Sequence, residues 1–263
     1  MTVRHILIRV AYDGSAYHGW QLQDNGITVE EELNRALSDL FGEEITVDGG
    51  SRTDAGVHAK DNVALFSTGS PVRIPAEKLP FALNRRLPAD IRVTSGCEVG
   101  EDFHPRHCDS VKTYEYRILN SPLQDPLRRH VTTWYHQKLD AERMAEAARV
   151  LTGEHDFTSF CSVHAQSTTR VRTIHDIRVS REDDEIRIRV SGNGFLYNMV
   201  RIIAGTLMEV GAGRLEASAM QGILEAKDRG AAGPTAPPEG LCLLEYRFGK
   251  WEEHHADQLD RKS

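Results

Sequence analysis

Thr28-Val29-Glu30-Glu31, continued by Leu33, Ala36, Leu37 and Leu40, spells out a helix. Thr28 and Glu31 form a capping box, and the apolar residues recur three and four apart, which is the spacing of one helical face. The run before it, His5 to Tyr12, is apolar and rich in β-branched residues, so a strand feeds this helix. Strands are then expected at 45–51 and 61–67, a helix from about Pro75 to Leu87, and a strand near Ile91 to Cys97. The order βαββαβ is the split, ferredoxin-like arrangement.

The second half repeats that order without obvious sequence repetition. A strand is expected at 111–119, a helix carrying Met144, Ala147, Ala148 and Leu151, strands around 171–180 and 185–191, helices at about 195–210 and 215–227, and a last strand near 242–248. The fold class is therefore α+β. Two ferredoxin-like halves, 1–104 and 105–248, are expected to share an extended mixed or antiparallel sheet, with helices on one face and an open central cleft; 249–263 is a charged tail. Ile186-Arg187-Ile188-Arg189-Val190 alternates cleanly, so both arginines point away from the apolar side. Gly230 to Pro238 holds two glycines and three prolines and is the clearest loop.

With 40% hydrophobic and 27% charged residues the chain has enough apolar material for a core and enough charge for a soluble surface. No apolar run reaches the roughly 20 residues of a membrane helix, and Met1 to Ile6 has no signal-peptide layout, so a cytoplasmic protein is expected. Cys97, Cys108, Cys161 and Cys242 have no close pair, as suits reduced thiols. His104, His107 and Cys108 cluster, and Cys161 lies near His164, but the first group lacks standard ligand spacing and the second is a single pair, so no metal is expected.

The chemistry concentrates in Gly49-Gly50-Ser51-Arg52-Thr53-Asp54-Ala55-Gly56-Val57-His58. Asp54 stands among small residues and glycines that let a bound group approach the backbone, a setting that suits a nucleophile or general base; the bland alternative is an Asx-turn. The net charge of −7 opposes a phosphate-rich partner globally. Arg106, Lys112, Arg117, Arg128 and Arg129, and then Arg170, Arg172 and Arg178, are nevertheless local basic groups that fit either a solvated face or RNA phosphates.

Ser51 to Ala59 resembles the aspartate motif of the tRNA pseudouridine synthase A (TruA) family. Further motifs follow in matching order: Tyr12-Asp13-Gly14 with Gly19-Trp20-Gln21; Phe103-His104 to Arg106; Lys112-Thr113-Tyr114-Glu115-Tyr116; Gly153 to Phe160; Gly192 to Arg201; and Ala236-Pro237-Pro238-Glu239-Gly240-Leu241. The resemblance spans residues 4 to 248. Ser51 departs from a usual glycine, and Pro105, His107 and Cys108 depart around Arg106, which touches loop geometry and not the proposed chemistry.

The resemblance implies a pseudouridine synthase fold with an RNA-binding cleft, a homodimer, and isomerisation of uridine to pseudouridine on the 3′ side of the tRNA anticodon stem-loop, at positions 38 to 40. It implies Asp54 as nucleophile or base, Arg201 as its counter-charge, and Tyr114 as the aromatic that stacks on uracil. Arg52 is expected to intrude into the RNA or touch phosphate. The reaction has no redox change and no group donor, so no cofactor, nucleotide or otherwise, is expected. The target uridine must flip out of the stem, at a cost of a few kcal/mol that phosphate contacts and stacking repay. Two rivals remain: an RNA-binding module, which would lack turnover and whose RRM signature is missing here, and a nucleosidase, which would release free uracil and would usually need a second carboxylate that the sequence does not convincingly identify.

Overall fold

In the computed structural model, which describes residues 3–165 and 167–249, the opening apolar run is strand β1 (Arg4–Tyr12) and the capping-box segment is helix α1 (Val29–Phe41). Both halves of the box close: the Glu31 N–H donates to Thr28 Oγ1 at 3.2 Å, and the Thr28 N–H donates to the Glu31 carboxylate at 3.4 Å. Val29, Leu33, Ala36, Leu37 and Phe41 are buried. Strand β2 (Asp48–Gly49) is shorter than the expected 45–51. Upstream of it the Ile45 N–H donates to Ser38 Oγ and the Val47 N–H to Asn34 Oδ1, each at 2.9 Å, so side chains of α1 satisfy this backbone in place of a strand partner.

Strand β3 (His58–Thr68) follows, then helix α2 (Leu79–Leu83) behind a 3-10 turn at Ala76–Lys78, and strand β4 (Ile91–Val99). The long helix expected from Pro75 to Leu87 is thus cut short at both ends. Pro80 has no N–H to continue a helix from the preceding turn. Beyond Leu83, Asn84 turns both ends of its amide to Val93, donating Nδ2 to the Val93 carbonyl at 2.9 Å and accepting the Val93 N–H at 2.8 Å.

Strand β5 (Ser110–Leu119) precedes a short strand β6 (Thr133–Trp134), helix α3 (Ala141–Ala148), strand β7 (Gly153–Asp156), strands β8 (Val171–Glu182) and β9 (Glu185–Gly192), helices α4 (Met199–Gly211) and α5 (Ala219–Ala226), and strand β10 (Leu241–Phe248). The fold is mixed α+β, dominated by sheet. Two compact units form, one from residues up to Ser110 with the segment from Leu243 onward, the other Val111–Cys242. Of the tail expected from 249, only Gly249 is among the described residues.

In the first unit the strand order is β4-β1-β3-β10, with β2 also on β3. β1 pairs antiparallel with both neighbours. Ile6, Ile8 and Val10 are completely buried on one face, while Leu7 packs on the other with Val63, Leu65, Cys97, Phe103, Tyr246 and Phe248. Burial on both faces explains why the strand reads as a continuous apolar run. The Phe103-to-Arg106 motif lashes this second face: Phe103 meets Phe248 edge-on with centroids 5.3 Å apart, and Tyr246 Oη donates to the Pro105 carbonyl at 2.7 Å. Burial leaves the Cys97 thiol pushed up to about 11, a poor nucleophile.

In the second unit the order is β5-β9-β8-β7, antiparallel throughout, with β6 parallel on β5. Tyr116, Ile118, Ile186, Ile188 and Val190 form the apolar face and are wholly buried. Arg187 and Arg189 point the other way, as the alternation requires, with side chains 38% and 54% exposed. The register sets Arg117 opposite Arg187 and Arg178 opposite Arg189, repulsive pairs unless carboxylates intervene. Glu115 does so, accepting from Arg117 Nε and from Arg189 Nη2, each at 2.9 Å. Burial would raise the Glu115 pKa, but those two hydrogen bonds and charges outweigh it and hold the carboxyl below its usual range. Among the described residues no helix is long and apolar enough to cross a membrane.

Candidate active site

Asp54 lies half-buried on the loop between β2 and β3. The loop is a turn closed by the Val57 N–H on the Asp54 carbonyl at 3.1 Å, with Gly56 at φ +79, a left-handed conformation that glycine supplies without strain. Segment 12–20 is laid over it. The Trp20 N–H donates to the Thr53 carbonyl at 3.0 Å and the Gly56 N–H to the Tyr17 carbonyl at 3.2 Å, one clamp on each side of Asp54. Gly19 has φ +90, and a Cβ there would fall 2.7 Å from the Thr53 carbonyl oxygen.

Beneath the loop runs a buried polar chain. Tyr12 Oη and Thr53 Oγ1 are 2.7 Å apart, and Asn62 Nδ2 reaches Tyr12 Oη at 3.2 Å and the Ser51 carbonyl at 2.9 Å. Arg106 Nε donates to the Gly49 carbonyl at 2.9 Å at the loop's upstream end. The Tyr12-Asp13-Gly14, Gly19-Trp20 and Phe103-to-Arg106 motifs therefore converge on one loop, and the backbone on both sides of Asp54 is held from outside it. Arg52, two residues away, is exposed and has no carboxylate partner among the described residues.

Tyr114 and Arg201 belong to the second unit. Tyr114 is buried on the β5 face that also carries Tyr116, and its ring meets Phe195 edge to face with centroids 5.2 Å apart. Tyr116 is core, its hydroxyl 2.6 Å from Thr133 Oγ1 and donating to the Pro237 carbonyl at 2.8 Å; burial first of all pushes its pKa up. Arg201 stands in the first turn of α4, whose residues are nearly all buried. Its Nε donates to the Ala236 carbonyl at 2.8 Å, its Nη1 to Asn198 Oδ1 at 2.9 Å, and its own carbonyl accepts the Ala236 N–H at 3.1 Å. The Ala236-Pro237 segment thus braces the arginine and Tyr116 together.

Residue reading alone assigned nothing to Asn198 or His58. Asn198 caps α4 at φ +61, a left-handed position that asparagine tolerates better than most side chains; an asparagine three residues before a candidate arginine was the available signal. His58, near the end of the aspartate motif, is buried with Nδ1 3.1 Å from the Gly14 nitrogen.

The basic groups divide. Arg128 forms a two-pronged pair with Asp184 and also reaches Asp125, and Arg178 pairs with Asp176. Arg129 and Arg172 instead donate to carbonyls or a hydroxyl, leaving their charge uncancelled. The four cysteines are free. His104 and His107 stack at 4.3 Å, and Cys161 Sγ accepts from Arg170 at 2.9 Å; no group of three potential metal ligands occurs among the described residues.

A family model described as tRNA pseudouridine synthase matches residues 8–107 and 147–249. Among curated relatives, the tRNA pseudouridine synthase A of Thermoanaerobacter sp. (strain X514) is 46% identical over 92% of this chain and 98% of its own length. That of Acetivibrio thermocellus is 46% identical over 94% and 100%, and that of Halalkalibacterium halodurans 45% over 91% and 90%. The match runs through both units and takes in Asp54, Arg201 and the segments that brace them, and the chain belongs to the tRNA pseudouridine synthase family, a family of isomerases.

Proposed function

We propose that the protein converts uridine to pseudouridine on the 3′ side of the tRNA anticodon stem-loop, acting as a cytoplasmic homodimer with Asp54 as its attacking carboxylate. The observation that carries the reading is the clamped loop: a half-buried carboxylate whose flanking peptides are held by Trp20 and Tyr17 can meet a flipped nucleotide without reorganising. The N1–C1′ bond breaks as the Asp54 carboxylate engages C1′ or the 2′ proton, the uracil turns, and C5 bonds to C1′. The proton leaving C5 is matched by one gained at N1, so no cofactor takes part.

Arg201 supplies the cation that keeps Asp54 ionised as the site closes. Its bonds to Asn198 and Ala236 support that role, because a guanidinium fixed at two corners presents its charge in one direction. Tyr114 stacks on the detached uracil, and Arg52, exposed beside Asp54, meets the RNA backbone or takes the place of the flipped base. The test is to map pseudouridine in unmodified tRNA after incubation with the wild type and with Asp54→Asn. Wild type is expected to modify the anticodon arm and Asp54→Asn to make no product, with tRNA affinity within about an order of magnitude, since phosphate contacts dominate binding. Free uracil as product, or turnover by Asp54→Asn, overturns the assignment.

A further inference from the structure

We infer that His58 is a positioning residue for the Asp54 loop, acting through the Gly14 N–H; the inference rests on the reading of Asp54 as the attacking carboxylate. His58 opens β3 directly after the loop and is 7% exposed. Its Nδ1 lies 3.1 Å from the Gly14 nitrogen and also 3.1 Å from Asp13 Oδ1. One ring nitrogen cannot accept from an N–H and donate to a carboxylate at once.

The surroundings decide between them. Asp13 Oδ1 already accepts the Ser15 N–H at 3.0 Å and Ser15 Oγ at 2.6 Å, and its side chain is 50% exposed to water. Gly14 is buried, and its N–H has no other acceptor among the described residues. Leaving such a donor unpaired costs about 1–3 kcal/mol. Nδ1 is therefore the acceptor of the Gly14 N–H and the ring N–H lies at Nε2, an atom that is buried and has no hydrogen-bond partner among the described residues.

The fold keeps this awkward ring because of what Gly14 leads. Gly14 begins the segment that carries the Tyr17 carbonyl, Gly19 and the Trp20 N–H, the groups that clamp the peptides on both sides of Asp54. His58 ties the first N–H of that overlay to the far end of the loop it covers, so loop and overlay close on each other. Without the acceptor the overlay loses its register and the carboxylate its aim, while tRNA phosphate contacts elsewhere are untouched.

His58→Leu removes the acceptor and keeps apolar bulk; His58→Asn keeps an acceptor oxygen near the position of Nδ1; His58→Phe keeps a ring and has no acceptor. Each is assayed on unmodified tRNA beside a melting curve and an Asp54→Asn control. His58→Leu is expected to lower kcat by on the order of a hundredfold, with KM moving less than about threefold. His58→Asn is expected to restore kcat to about a tenth of wild type or better. If His58→Leu does not fold, His58→Phe takes its place as the variant without the acceptor. Wild-type kcat in the acceptor-free variant, or equal losses in it and in His58→Asn with both folded, overturns the inference. Turnover by Asp54→Asn would sink the underlying site reading instead, so the two failures are distinguishable.

Discussion

At the scale of single residues, the candidate site is a matter of how few degrees of freedom its side chains keep. Asn198 caps α4 and accepts from Arg201, so it sets the arginine's direction from three residues away. Asn198→Ala is expected to lower kcat by about tenfold or more while the guanidinium stays in place chemically, a loss of aim and not of charge. Single-turnover rates at saturating tRNA would show it; an unchanged rate would mean that the arginine keeps its direction without Asn198. Tyr114 separates hydroxyl from ring in the same way. Tyr114→Phe should keep most activity and Tyr114→Leu should lose stacking worth about 1–3 kcal/mol, a comparison that fails if the two variants turn over equally. Asp54, Tyr114 and Arg201 were all marked in the sequence by their motifs. The motifs that brace them were marked too, but not what they do, because a braced arginine and an exposed one have the same letters around them until the Ala236 loop returns to α4.

At the scale of elements, legibility followed where the backbone's hydrogen bonds go. α1 was readable because its signal is local: cap, box and apolar stripe sit within one segment. Thr28→Ala should therefore cost about 1 kcal/mol in denaturant unfolding, with no change in the extrapolated activity of the folded protein. The strand expected over 45–51 dwindled to β2 because Ser38 and Asn34, on another element, take the Ile45 and Val47 amides. The alternation there is real but marks packing against a helix. β7 went unseen because Gly153-Glu154-His155-Asp156 has no alternation, as an edge strand with one polar border need not. The β5 to β9 face carries a further consequence. Glu115 is almost fully buried between arginines that reach water, so Glu115→Gln should destabilise by about 2 kcal/mol at neutral pH. Its folded pKa is depressed, so the carboxylate's contribution is complete above the unfolded pKa and is lost as pH falls through the folded one. The gap between wild type and Glu115→Gln in denaturant midpoint should accordingly narrow in strong acid; a gap independent of pH would assign the loss to packing.

At the scale of the molecule, a chain with net charge −7 is proposed to hold a polyanion, and the two are compatible only if the sites of grip are cations that the protein has not neutralised itself. Counting arginines along the sequence does not find them, since Arg128 and Arg129 are adjacent letters with opposite fates. Arg128 is committed to Asp184 and Asp125, and Arg178 to Asp176, so either arginine would have to surrender a carboxylate before meeting phosphate. Arg129 and Arg172 are held by uncharged oxygens, which orient a guanidinium and leave its charge to act outward. Affinity for tRNA should fall steeply with salt, and Arg129→Ala and Arg172→Ala should each reduce the slope of log affinity against log salt by about one unit if each meets one phosphate. Arg128→Ala and Arg178→Ala should leave the slope nearly unchanged; Arg128→Ala should instead lower the melting temperature, because it frees the loop that Asp125 and Asp184 anchor. Binding titrations at several salt concentrations separate the classes. A slope that drops for Arg128→Ala and stays put for Arg172→Ala would mean that the RNA displaces the protein's own carboxylates, and that the ion pairs seen in the free protein are exchanged on binding.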